Sequence, residues 1–152
     1  MKYFPIVILS LLLVACTEDE VLYSNTPDKA IELLESEFGF VNNMNVIQEV
    51  DVNVSRKIYV FEGEGEGEVV ISDNSENKTQ YFVALVEKRE KGWVVLESLG
   101  IGKPSDSESI ATGGNCFQAG FIGTTENLQL KKYQYVLNIP EKDYSIWVEL
   151  LE

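Results

Sequence analysis

Apolar and polar positions divide the chain into three regimes. Residues 4–14 are a nearly unbroken apolar run, residues 26–38 repeat apolar side chains at helical spacing, and the chain after Gly39 falls into short alternating or clustered apolar stretches. Thr26-Pro27-Asp28 reads as a helix start, with Thr26 as N-cap, Pro27 pre-set at the first helical position and Asp28 favourable to the helix dipole. Ala30, Ile31, Leu34 and Phe38 line one face, Leu33 widens it, and Gly39 supplies the stop. One amphipathic helix of about three turns is predicted, packed on the domain's core.

Everything downstream predicts strand and turn. Val50, Val52 and Val54 alternate with Asp51, Asn53 and Ser55, which puts the valines on one face. Residues 57–61 continue as a second apolar stretch or as the far side of a bend. Residues 68–72 are expected to pair with 79–88 through the turn-rich 73–77, and Arg89-Glu90-Lys91-Gly92 turns the chain into Trp93-Val94-Val95-Leu96. Residues 100–115 are polar, rich in Gly and Ser, and read as one long loop. Three further strands are expected at 116–122, 128–139 and 145–151, the last turn being Pro140-Glu141-Lys142-Asp143.

The predicted class is therefore α+β, with one N-terminal amphipathic helix packed on a curved, mainly antiparallel meander sheet. A helix followed by a meander ending in Lys91-Gly92-Trp93-Val94-Val95 resembles cystatin-like and nuclear-transport-factor-like domains over residues 26–99.

The start of the chain carries a different message. Lys2 precedes an apolar run of signal-peptide length, well short of the roughly 20 residues that span a bilayer as a helix. The run ends in Leu13-Val14-Ala15-Cys16, directly before Thr17-Glu18-Asp19-Glu20. This layout resembles the lipobox signal peptide of small bacterial membrane lipoproteins, of Gram-positive bacteria in particular. The resemblance extends to Gly120-Phe121-Ile122 before two closing strands, and it brings no activity with it. It implies cleavage between Ala15 and Cys16 and a diacylglyceryl group on the Cys16 sulfur, and two acyl chains hold a protein at a membrane persistently. The implied organisation is a signal peptide over 1–15, a lipidated cysteine and acidic tether over 16–25, and a single extracytoplasmic domain over 26–152, on the outer face of the cell membrane.

Composition narrows what that domain can do. The chain has 12 Lys and Arg against 25 Asp and Glu, a net charge of −13, and loss of residues 1–15 removes Lys2 and no acid. Nucleic acid is disfavoured as a partner, since its phosphates need clustered cations. An anionic membrane face is repelled too, so the domain is expected to stand off its lipid. No histidine is present, which removes Ser-His-Asp and Cys-His catalysis and His-liganded zinc. With Cys16 lipidated, Cys116 is the remaining thiol, and no cation stands near it in sequence to lower its pKa, so a buried, inert role is expected.

The most unusual internal segment is Glu62-Gly63-Glu64-Gly65-Glu66-Gly67-Glu68. Extended, it would place Glu62, Glu64, Glu66 and Glu68 along one edge, a donor set suited to Ca²⁺. Ordering three glycines around an ion costs about 1–2 kcal/mol per residue, so a solvated hairpin loop is the expected state and no metal or other cofactor is assigned. A calcium loop at Asp73, Ser75 and Asn77 fails at Lys78 and Ala84, and a phosphate loop at Gly102-Lys103 fails at Glu97 and Pro104. The functional expectation is a non-enzymatic, lipid-anchored module that binds another envelope protein or a small ligand. The alternative is a carboxylate-based hydrolase of envelope polymers, which needs two acids in a cleft. A sheet whose concave face is filled favours protein contacts; an open pocket favours a ligand.

Overall fold

The structure, a computed structural model, describes residues 21–65, 79–104, 112–123 and 134–151. Its elements are α1 (Pro27–Ser36), β1 (Asn42–Asn53), β2 (Arg56–Glu64), β3 (Thr79–Arg89), β4 (Gly92–Gly102), β5 (Thr112–Gly113), β6 (Phe117–Gly123), β7 (Gln134–Asn138) and β8 (Tyr144–Leu150). Helix and antiparallel sheet are segregated, so the class is α+β. The sheet, however, is two sheets: a meander in the order β1-β2-β3-β4, and a second in the order β5-β6-β8-β7. The single meander expected from the sequence is corrected on this point.

The helix forms as its cap residues dictate. The Thr26 side chain accepts a hydrogen bond from the Lys29 backbone N–H at 3.3 Å, and Pro27 opens the first turn. Ala30, Ile31 and Leu34 are buried, but the helix ends at Ser36 and Phe38 lies outside it, exposed. Gly39 takes the left-handed conformation, φ +59°, and the chain reverses so that the Phe40 N–H reaches the Leu34 carbonyl at 2.8 Å.

The first sheet is walled on both faces, and alternation along its central strands sorts their residues between two cores. Tyr59, Phe61, Phe82, Ala84 and Val86 pack with Ala30, Ile31, Leu34 and Val41 on the helix side. Ile58, Val60, Tyr81, Val83 and Leu85 face the other way and pack with Phe117, Phe121, Leu137, Ile146 and Val148 of the second sheet. A strand covered on both faces is apolar throughout rather than alternating, which explains the continuous runs at 58–61 and 81–86.

Strand β3 is paired on both sides, with β2 from Thr79 opposite Glu64 and with β4; residues 68–72, its expected partner, lie outside the described residues. The 100–115 loop is shorter than predicted, because β4 runs to Gly102 and β5 begins at Thr112. Val50 and Val52 share one face as expected, and that face packs toward the second sheet, but β1 ends at Asn53 and leaves Val54 96% exposed in the turn. The expected strand at 128–139 is described only as β7.

Candidate functional site

Ala15 and Cys16, the residues of the implied cleavage and lipid attachment, lie outside the described residues, as do Glu66 and Glu68. The described chain begins at Val21, and its first residues are held against the fold. Ser24 and Trp93 form an antiparallel bridge beside the β3–β4 turn. Gly92 makes the approach feasible: its φ is +133°, and a Cβ there would come within 2.6 Å of the Ser24 carbonyl oxygen. The Lys91 ammonium lies 5.9 Å from the centre of the Tyr23 ring. Between this segment, α1 and β4 is an apolar groove of about 190 Å³ lined by Val21, Leu22, Ala30, Leu33, Phe38, Val94 and Val95. It carries no titratable side chain.

Glu62 and Glu64 sit at the end of β2, not in a free loop. Glu62 accepts a hydrogen bond from the Asn45 side-chain amide at 2.9 Å. The glycines between the acids answer a steric demand. A Cβ on Gly63 would collide with the Val41 side chain, and one on Gly65 would come within 2.6 Å of the Phe82 ring. Two of the glycines read as flexible are therefore close-packed. Among the described residues no group of three or more Cys, Asp or Glu is placed to hold a metal ion.

Several other described carboxylates are engaged structurally. Glu87 meets Arg56 at 2.6 Å and Arg89 at 3.1 Å. Partial burial raises its pKa, and the hydrogen bonds from the two arginines outweigh that, holding it below the ordinary glutamate value. Lys57 bridges Glu49 and Asp51, both at 3.2 Å. The Asp28 carboxylate accepts a 2.6 Å hydrogen bond from the Tyr59 hydroxyl, tying the first turn of α1 to the sheet; burial and that bond push the Tyr59 pKa up. Across the inter-sheet core, the Tyr81 and Tyr144 hydroxyls are 2.9 Å apart.

One residue with a structural role escaped the sequence reading. The Glu97 carboxylate accepts hydrogen bonds from the backbone N–H of Asn115 at 2.7 Å and of Cys116 at 2.9 Å, linking the first sheet to the entrance of β6. A bulge at Leu96, where the register steps from Leu85 opposite Glu97 to Val86 opposite Val95, sets the local strand direction. The available signal was an isolated acid inside the apolar stretch 93–99. Cys116 beside it is half-buried, its thiol pKa raised by burial and then by the Glu97 charge, the reverse of an activated thiol.

Among the described residues both faces of the first sheet are packed, by α1 on one side and by the second sheet on the other, with the apolar groove at the edge of the α1 side. Glu49 and Asp51 are two neighbouring acids, but they flank Lys57 on an exposed strand rather than facing each other across a cleft. No helix among the described residues is long and apolar enough to cross a membrane. No protein-family model, no curated protein and no solved structure matches the chain.

Proposed function

We propose that this protein is a lipid-anchored lipoprotein whose domain works outside the cell membrane as a protein-binding module, held there by a diacylglyceryl group on Cys16. The observation that carries the binding reading is the filling of both faces of the central sheet, by α1 on one side and by β6, β7 and β8 on the other. Covered faces favour the outer surface, which includes the apolar groove beside α1, as the place where specificity resides. The address rests on the signal-like start and on Leu13-Val14-Ala15-Cys16.

The helix and the β1–β4 meander support a cystatin-like or nuclear-transport-factor-like reading of residues 26–99. The second sheet is an addition that this reading does not account for.

The experiment is a capture from detergent-solubilised cells with the full chain and with Cys16→Ser as the unanchored form, alongside mass spectrometry of the N-terminal peptide. A diacylated Cys16 and one envelope protein enriched by the anchored form are expected. An unmodified, uncleaved N-terminus removes the anchor reading, and a modified protein that enriches nothing removes the binding-module reading.

A further inference from the structure

The β1–β2 turn carries a motif that neither the two cores nor the proposed binding role uses. Asn53-Val54-Ser55 sets a carboxamide two residues before a hydroxyl with no proline between them, the pattern of an acceptor for N-linked sugar. The same pattern at Asn77-Lys78-Thr79 is placed differently: Asn77 lies outside the described residues, and Thr79 is paired within β3 opposite Glu64. An attached sugar is bulky and polar, so its acceptor has to stand where an enzyme can reach it and where the product stays in water. Asn53 is the exposed last residue of β1, and Val54 beside it at the tip of the turn is 96% exposed.

The turn also holds the two side chains in a chemically useful relation. The Ser55 backbone N–H donates to Asn53 Oδ1 at 2.8 Å, and the Ser55 hydroxyl donates to the same oxygen at 3.0 Å. This Asx-type turn engages the oxygen of the carboxamide and leaves Nδ2 as the end that an incoming reagent meets. Two donors on the oxygen draw charge from the amide nitrogen, which makes its N–H easier to deprotonate. Ser55 is fixed in turn, since its carbonyl accepts from the Lys88 N–H at 2.8 Å. Asp51, its side chain 72% exposed, stands two residues before Asn53, where bacterial acceptor sequences carry an acid.

We propose that Asn53 is a site of N-linked glycosylation, modified on the extracytoplasmic face by a transferase that uses a polyprenyl-diphosphate-linked oligosaccharide. Asn53 Nδ2 gives up a proton to a base of the transferase and forms a bond to the anomeric carbon of the first sugar. The bond from that carbon to the diphosphate oxygen breaks, and polyprenyl diphosphate leaves with the electron pair. The proposal rests on the extracytoplasmic placement given above and adds a covalent modification to it. A glycan at Asn53 covers the Val54 tip and takes this turn out of the surface open to a partner protein.

The test is mass spectrometry of the full chain purified from the cells that make it, with the peptide containing Asn53 and the N-terminal peptide read from one digest. A sugar-mass addition on Asn53 is expected. It should disappear in Asn53→Gln and in Ser55→Ala and persist in Ser55→Thr, which keeps the hydroxyl. An unmodified Asn53 on protein whose Cys16 is diacylated overturns the glycan and leaves the anchor intact. A modified Asn53 on an unlipidated chain upholds the glycan and removes the anchor reading alone. An unmodified Asn53 on an uncleaved, unlipidated chain overturns both, and a sugar that survives Asn53→Gln overturns the assignment to this turn.

Discussion

Ser24 and Trp93 exchange both of their backbone hydrogen bonds, at 2.8 and 2.7 Å, and thereby convert the chain entering the domain into a short extra edge on β4. This bridge depends on the absence of a side chain at Gly92. Gly92→Ala is expected to cost about 1–3 kcal/mol, because φ +133° is strained for alanine and the new Cβ meets the Ser24 carbonyl. Amide exchange at Ser24 should accelerate far more than at Phe82, and unchanged protection at Ser24 would count against the bridge.

Glu97 joins the sheets through two charge-assisted hydrogen bonds, so Glu97→Ala is expected to destabilise by about 2–3 kcal/mol. Gly114→Ala should reproduce much of this loss, since its Cβ would overlap the Glu97 carboxyl. The two effects should be strongly non-additive in a denaturant double-mutant cycle. Simple additivity would mean that the residues do not share a contact.

The alkaline limb of stability should be set in part by two phenols, the buried Tyr59 and the half-buried Tyr144. Burial and then the bond to Asp28 raise the Tyr59 pKa above its ordinary 10.0. Burial and then the bond to Tyr81 raise that of Tyr144. Because the folded values exceed the unfolded ones, their stabilisation is complete below pH 10 and declines as pH rises above it. Tyr59→Phe is expected to cost about 1–2 kcal/mol at neutral pH and to flatten the fall in melting temperature above pH 10.

On the acid side the sign is opposite. The Glu87 pKa is held below 4.5 in the fold, so its contribution is present above that pH and is lost as pH falls through the lowered value. Glu87→Gln should therefore be less stable than the parent at neutral pH, by no more than about 1 kcal/mol for so accessible a cluster, and the two melting curves should converge at low pH.

Gly63→Ala tests the steric account of the Glu/Gly segment. If the glycine serves close packing against Val41, the substitution should destabilise by about 1–3 kcal/mol, whereas in a solvated loop it would be neutral or stabilising.

Much of the fold was legible wherever a local rule governs it. Thr26, Pro27 and Gly39 marked the helix because capping and φ preferences act within a few residues, and the turn at 89–92 was readable for the same reason. The division into two sheets was not readable, since it depends on faces packing across more than 50 residues, with Ile58 and Val60 against Phe117, Ile146 and Val148. The apolar runs at 58–61 and 81–86 held the clue, a lack of alternation that signals cover on both faces. The Glu/Gly segment misled because the same absence of a side chain serves flexibility in one setting and close packing in another. Glu97 was missed because its partners are backbone amides, which carry no sequence signature. The proposed anchor, by contrast, rests on sequence alone, since Leu13-Val14-Ala15-Cys16 lies outside the described residues.

The two-sided cover of the β2–β3 hairpin also sets where the chain can tolerate change. Val60 and Phe61 are consecutive, yet one answers to Val148 and its neighbours and the other to Phe82 and α1. Drift at one position has to be accommodated by different partners from drift at the next. Residues 58–61 and 81–86 thus have no outward face on which substitutions can accumulate unnoticed. Variation has room instead on the half-exposed strands β1 and β7 and on the turns, where the sequence can diverge without disturbing either core.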